Sequence, residues 1–200
     1  MYDAYEALLF DMDGTLVDSG RLHELTWRAT LERYGIPVDV PLMRSLAGVP
    51  ARETLQQLVR HFGCSVDASV EEMVTFKEAR VREEAHLHVR ATALVEIVRA
   101  YHGRKPMAVG TGASTAEAVS TLRRCGLDGF FGAVVGADQV QNPKPAPDTF
   151  LLCARLLGVS PGACVVFEDA PMGLQAAGRA GMAAVDVLAV HGIHNDYFLE

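Results

Sequence analysis

A doubly wound α/β fold, a parallel sheet covered by helices on both faces and interrupted by one α-helical insertion, follows from three features of this 200-residue chain. Short apolar runs alternate with amphipathic helical patterns, the rhythm of parallel strands joined by crossover helices. Several of those runs stop abruptly at polar, chemistry-bearing residues, and in such sheets ligands bind at the carboxyl ends of the strands. Between Leu16 and about Val89 the alternation ceases, and only a helical pattern is left.

Ala7-Leu8-Leu9-Phe10 is the first strand, and it runs into Asp11-Met12-Asp13-Gly14-Thr15-Leu16. Extended chain places residues i and i+2 on one side, so the two acids can reach a common point. Gly14 lets the backbone turn and approach a ligand closely. Two carboxylates so placed suit a metal and a nucleophile, although Asp-x-Asp-Gly alone also describes a strand closed by a turn. In the strand-free stretch, Leu55, Leu58, Val59 and Phe62 fall at i, i+3, i+4 and i+7, the spacing of a helix. The next strand, Met107 to Val109, ends in Gly110-Thr111-Gly112. Ser114 then caps a helix, with Glu117 as its capping-box partner, and the helix stops near Gly126. Ala133 to Val135 is the third strand. Pro143, Pro145 and Pro147 stiffen the loop that carries Lys144, and a helix opening at Pro147 presents Phe150, Leu151, Ala154 and Leu157 on one face before Gly158 ends it. Cys164 to Phe167 runs straight into Glu168-Asp169 and Pro171-Met172-Gly173, and Ala183 to Val187 is the last strand.

Composition narrows the function. Half of the residues are apolar, enough for a sizeable core, and the net charge of −7 provides no basic face for a nucleic-acid backbone. Nucleic acid is therefore not an expected partner, whereas a small phosphorylated metabolite is compatible with a local cation and a metal. The four cysteines show no CxxC spacing and no signal peptide precedes the first strand, so a reduced cytoplasm and core thiols are expected. No run approaches the roughly 18 to 20 apolar residues of a membrane span, and a monomer with no membrane partner is expected. His86-x-His88 and His191-x-x-His194 lack a third ligand nearby and read as surface or tail histidines.

Taken in order, Asp11, Asp13, Thr111, Lys144, Glu168 and Asp169 resemble the haloacid dehalogenase-like phosphatase superfamily over nearly the whole chain. The stretches from His102 to Gly112 and from Lys144 to Ala154 are similar to its bacterial fructose-1-phosphatase branch, which is related to β-phosphoglucomutase. The resemblance implies a Rossmann-like core of residues 1–17 and 89–200, with a helical cap of residues 18–88 that closes over the site. Hinges are then expected near Val17 to Gly20 and Leu87 to Arg90. It also implies that Asp11 is the nucleophile and Asp13 the general acid and base, that Thr111, Gly112 and Lys144 hold the phosphoryl group, and that Mg²⁺ sits on Asp11, the main-chain carbonyl of Asp13, Glu168 and Asp169.

Metal and lysine together decide the sign of the charge balance. At about 4 Å and an effective dielectric of about 20, Asp11 and a phosphate dianion repel by about 8 kcal/mol, while Mg²⁺ attracts the dianion by about 16 and Lys144 by about 8. Substrate choice would come from the cap, where His23, Arg44, Arg52, Lys77 and Arg80 are the polar candidates. His23 stands at the same distance after the first aspartate as a histidine of both branches. The expected function is a Mg²⁺-dependent phosphatase of small sugar phosphates such as fructose 1-phosphate. A β-phosphoglucomutase-like mutase is the alternative, weakened because Gly48-Val49-Pro50-Ala51-Arg52 displaces the first cap-loop arginine and kept open by Lys77. A non-catalytic binding module is a third reading, and a dehalogenase has no use for Asp13 or a metal.

Overall fold

The computed structural model describes residues 1–194 and 196–198. Five parallel strands form the main sheet: β1 (Ala7–Phe10), β4 (Met107–Gly110), β5 (Ala133–Val135), β6 (Cys164–Glu168) and β7 (Ala183–Asp186), in the order β5-β4-β1-β6-β7. All five were legible as apolar runs, except that Val187 opens a helix instead of ending β7. The chain moves outward from β1 through β4 to β5, then crosses back to β6 on the other side. β1 is therefore the switch point, where a crevice opens above the strand ends.

Strand alternation divides the core in two. Leu8, Phe10, Met107, Val109, Val165 and Phe167 face one layer of helices, α5 (Val95–Tyr101), α6 (Thr115–Arg124) and α9 (Val187–His191). Ala7, Leu9, Ala108, Cys164 and Val166 face the other, α7 (Asp148–Leu157) and α8 (Pro171–Arg179). Helix α7 begins one residue later than expected, after Pro147. It buries Phe150, Cys153 and Ala154, whereas Leu151 is exposed. Of the cysteines, Cys153 and Cys164 are core thiols, while Cys64 and Cys125 are only half-buried.

The strand-free stretch consists of α1 (Gly20–Arg33), α2 (Val40–Ser45), α3 (Ala51–Phe62) and α4 (Val70–His88). These helices share an apolar cluster of their own around Trp27, Leu31, Met43, Leu55 and Leu58. A full capping box starts α4, in which Ser69 and Glu72 satisfy each other's backbone N–H groups. Two short strands, β2 (Val17–Asp18) and β3 (Arg90–Ala91), pair antiparallel where the chain enters and leaves the helical unit. They lie at the two expected hinge segments, and Thr92 ties them to the first loop by donating to the Thr15 carbonyl at 2.6 Å. None of the described helices is long and apolar enough to cross a membrane.

Candidate active site

The register of the sheet assembles the site. Phe10 lies opposite Val109 on one side and Phe167 on the other, so Asp11, Thr111 and the pair Glu168-Asp169 emerge side by side at the carboxyl edge. The proline-stiffened loop before α7 swings Lys144 beneath them. Its ammonium donates to Asp11 Oδ1 at 2.6 Å and to Glu168 Oε2 at 2.7 Å, and it rests 4.7 Å from the Phe150 ring centre. The lysine side chain is only 2% exposed, so this cation is committed to the site and not to solvent.

Burial sets the ionisation of the group. It pushes the Asp11 carboxyl up to about 7, reinforced by the Glu168 charge and opposed by Lys144. Burial also raises Glu168 against the pull of Lys144. Lys144 itself is raised, because the two carboxylates outweigh the loss of water.

Glu168 is held from both ends. Its second oxygen accepts from the N–H groups of Asp169 at 3.2 Å and Ala170 at 3.0 Å. The room for this carboxylate comes from Gly173 in the first turn of α8, where a Cβ would stand 1.8 Å from Glu168 Oε2. Gly173→Ala should therefore cost about 2–3 kcal/mol, as an overpacked core position does, and displace Lys144 with Glu168. Urea unfolding and phosphatase assay together check it: an alanine variant with wild-type stability and rate would mean that Glu168 has another place to go.

Among the described residues, ligand oxygens of Asp11, Glu168 and Asp169 form a metal-sized group, all within 4.8 Å of one another. Three carboxylates against one ammonium leave two negative charges uncompensated when all are ionised, a donor set suited to a hard divalent cation. Asp169 also accepts from Thr15 Oγ1 at 3.3 Å. The Asp13 carboxylate is not part of this group and bonds to Ser19 and His23 instead.

Asp13 points to the helical unit. Its Oδ1 accepts from Ser19 Oγ at 2.6 Å and lies 3.2 Å from His23 Nε2. Burial alone would raise the Asp13 carboxyl, but His23, Ser19 and more distant Lys77 outweigh it, and its pKa falls below the ordinary range. Enclosure therefore does not raise this acid, because the helix that closes the site brings a histidine and a hydroxyl with it.

Thr111 is 2% exposed, and its hydroxyl accepts from the Ala113 N–H at 3.1 Å, shaping the loop into α6. Gly112 is needed for contact between the two layers: a Cβ there would lie 2.7 Å from the Gly48 carbonyl. The loop between α2 and α3 therefore sits directly on the core and roofs a cavity of roughly 380 Å³ that contains Asp11, Asp13 and Thr111, within the size range of small-molecule sites.

The remaining sequence candidates separate. His23 and Lys77 line the cavity, and Lys77 is buried with its ammonium 4.9 Å from the Trp27 ring centre. Arg52 reaches the rim, half-exposed and paired with Glu71. Arg44 instead donates to the Phe198 carbonyl at 2.7 Å, and Arg80 pairs with Glu83 and Glu84 along α4. His86 bonds to its own helix, and His191 meets the Tyr2 hydroxyl at 2.8 Å.

Glu117, Trp27 and Tyr197 are among the cavity residues that the sequence did not reveal. Ser114 caps α6 through the Glu117 N–H, but the Glu117 carboxylate lines the cavity, and burial raises its pKa. Trp27 and Tyr197 complete the wall. Glu117 was hidden by a plausible local role, and Tyr197 lies far along the chain from every motif.

Comparison with known proteins agrees with this geometry. The model of the haloacid dehalogenase-like hydrolases matches residues 5–181. The chain is 46% identical to fructose-1-phosphate phosphatase YqaB of Escherichia coli, over 94% of this chain and 98% of that protein. It is 35% identical to a phosphorylated carbohydrates phosphatase of Thermotoga maritima, over 90% of this chain and 83% of that one. A crystal structure of β-phosphoglucomutase from Clostridium difficile superposes with a TM-score of 0.79 at 25% identity, covering 90% of this chain and 83% of the other. With the motif residues gathered at one sheet edge and the match spanning most of its length, the chain belongs to the haloacid dehalogenase-like hydrolase family.

Proposed function

We propose that this phosphoric monoester hydrolase acts on small sugar phosphates, with Asp11 as the nucleophile and Mg²⁺ as the cofactor. The observation that carries the reading is the acidic group of Asp11, Glu168 and Asp169 on the floor of a cavity roofed by the helical unit, with Lys144 buried behind it and bridging Asp11 and Glu168. The phosphatases of Escherichia coli and Thermotoga maritima support the substrate class.

In this reading residues 18–88 are the cap and residues 1–17 and 89–200 the core. Asp11, Asp169 and the Asp13 carbonyl would hold the metal, while Glu168 anchors Lys144 at the edge of the same group. The bound ion supplies positive charge to the phosphoryl oxygens and to the nucleophile. Thr111, the N–H groups around Gly112 and Lys144 hold those oxygens, and the start of α6 adds its own preference for an anion. An Asp11 oxygen attacks phosphorus, the ester P–O bond breaks, and the departing sugar oxygen takes a proton held between His23 and Asp13. Water then attacks the aspartyl phosphate while ionised Asp13 removes its proton, releasing inorganic phosphate and restoring Asp11.

Lys77 in the cavity favours a mutase as the second reading, since a cation there could meet another phosphate. Glu117 opposes it, placing a carboxylate in the same cavity. Phosphate release from a panel of sugar phosphates, fructose 1-phosphate included, should be rapid with Mg²⁺ and abolished by EDTA. β-Glucose 1-phosphate with trace bisphosphate separates the alternatives, because a mutase returns glucose 6-phosphate and a phosphatase free phosphate. Undiminished hydrolysis in EDTA would overturn the metal assignment.

A further inference from the structure

Past α9, the described residues lie first against the core and then against the cap. Ile193 is buried in the core cluster beside β1 and β6, whereas Phe198 is fully buried in the apolar cluster of α1 to α4. Two cap helices grip Phe198: Arg28 of α1 lies 5.0 Å from its ring centre, and Arg44 of α2 donates to its carbonyl at 2.7 Å. Its backbone is left-handed, with φ 51°, a costly conformation for a bulky residue that persists only when the surroundings dictate it. Tyr197 packs edge to face on Phe198, ring centres 4.8 Å apart, and lines the catalytic cavity together with Trp27 and His23.

We infer that this segment is a strap that completes the active site: Phe198 is its anchor in the cap, and Tyr197 is a positioning residue for the uncharged, hydroxyl-bearing part of the substrate. The inference rests on the sugar-phosphate reading for its ligand, but not for the strap itself. A phenol offers both a donor and an acceptor to sugar hydroxyls, and its ring offers an apolar face to the sugar C–H bonds. Burial, with the Glu24 charge behind it, keeps the Tyr197 hydroxyl protonated and able to donate. The strap also gives the cap a second attachment to the core, besides the β2-β3 ribbon, so substrate contact and cap position are set by adjacent residues.

Tyr197→Ala, Tyr197→Phe and Phe198→Ala in the full chain test this, with fructose 1-phosphate and acetyl phosphate as paired substrates. Acetyl phosphate has a leaving group too small to need Tyr197. Tyr197→Ala and Phe198→Ala should lower kcat/KM for fructose 1-phosphate roughly tenfold, chiefly through KM, and leave acetyl phosphate within about twofold, the scale of losing one or two good polar contacts. Tyr197→Phe keeps the ring and should lose less. Trp27 is the chain's single tryptophan, so acrylamide quenching reads the cavity wall without any substrate and should rise in Phe198→Ala. Equal losses on both substrates, or sugar-phosphate kinetics and quenching that both stay at wild-type values, would overturn the proposal. If the wild type hydrolyses acetyl phosphate but no sugar phosphate, the substrate reading fails alone, and the strap stands or falls on the quenching of Phe198→Ala.

Discussion

Asp11→Asn should abolish turnover, by about 10⁴-fold or more as expected for a lost nucleophile, and at the same time make the metal-free protein more stable at pH 8. The second half follows from burial. Asp11 has its pKa pushed from an ordinary 3.8 to about 7, so the folded protein binds its proton more tightly than the unfolded chain does. Wild-type stability from this group is therefore present at low pH and lost as pH rises from about 4 through about 7. The displacement corresponds to about 4 kcal/mol at most. Asparagine keeps an oxygen for Lys144 and drops the charge that clashes with Glu168, so a gain of about 1–3 kcal/mol is expected, at about 2–4 °C in midpoint per kcal/mol for a chain of this length. Thermal unfolding in EDTA from pH 5 to 8 checks it. The advantage of the variant should grow up to about pH 7 and then level off. A variant less stable than wild type at pH 8 would show that Lys144 more than compensates the Asp11 charge. Catalytic sites that hold unfavourable charge in readiness for a cation lose stability for function in this way.

Legibility from the sequence followed the locality of the signal. β1, β4 and β6 were readable because a fully buried parallel strand is a continuous apolar run, β5 as a short apolar run that is only partly buried, and Asp11, Thr111 and Glu168-Asp169 because each stands at the end of such a run. Lys144 was readable from its prolines, although its double contact with Asp11 and Glu168 was not. What the sequence concealed was tertiary. Whether a polar residue on one of the helices α1 to α4 faces the cavity, as Lys77 does, or a neighbour, as Arg44 and Arg80 do, depends on packing between helices distant in sequence. The short β2-β3 pair was missed as structure because two-residue strands carry no period. The role of Gly173 is the most instructive case. It reads as an ordinary glycine after a proline, yet it provides the space occupied by the Glu168 carboxylate.

Lys144→Met carries the charge argument to its other side. Methionine matches the length of the lysine stem and suits the Phe150 ring, so packing is nearly preserved while the ammonium is lost. Asp11 and Glu168, 6% and 1% exposed, would then face each other without their cation. Removing one partner of a buried charge set typically costs about 3–5 kcal/mol, because the remaining charges can neither pair nor reach water. Turnover should fall by at least about 10³-fold, since both the phosphoryl group and the nucleophile lose an electrostatic partner. The pH dependence separates charge from packing. Without Lys144 both carboxyls titrate still higher, so the defect should be greatest above pH 7 and shrink towards pH 5 as they take up protons. Pairing the substitution with Asp11→Asn should restore part of the stability at pH 8 without restoring activity, because a single buried carboxylate, still bonded to two backbone N–H groups, costs less than two in contact. Urea unfolding of the single and double variants in EDTA measures that coupling. A loss in Lys144→Met that is constant from pH 5 to 8, and unrelieved by Asp11→Asn, would assign the lysine to packing and remove the electrostatic basis for the proposed site.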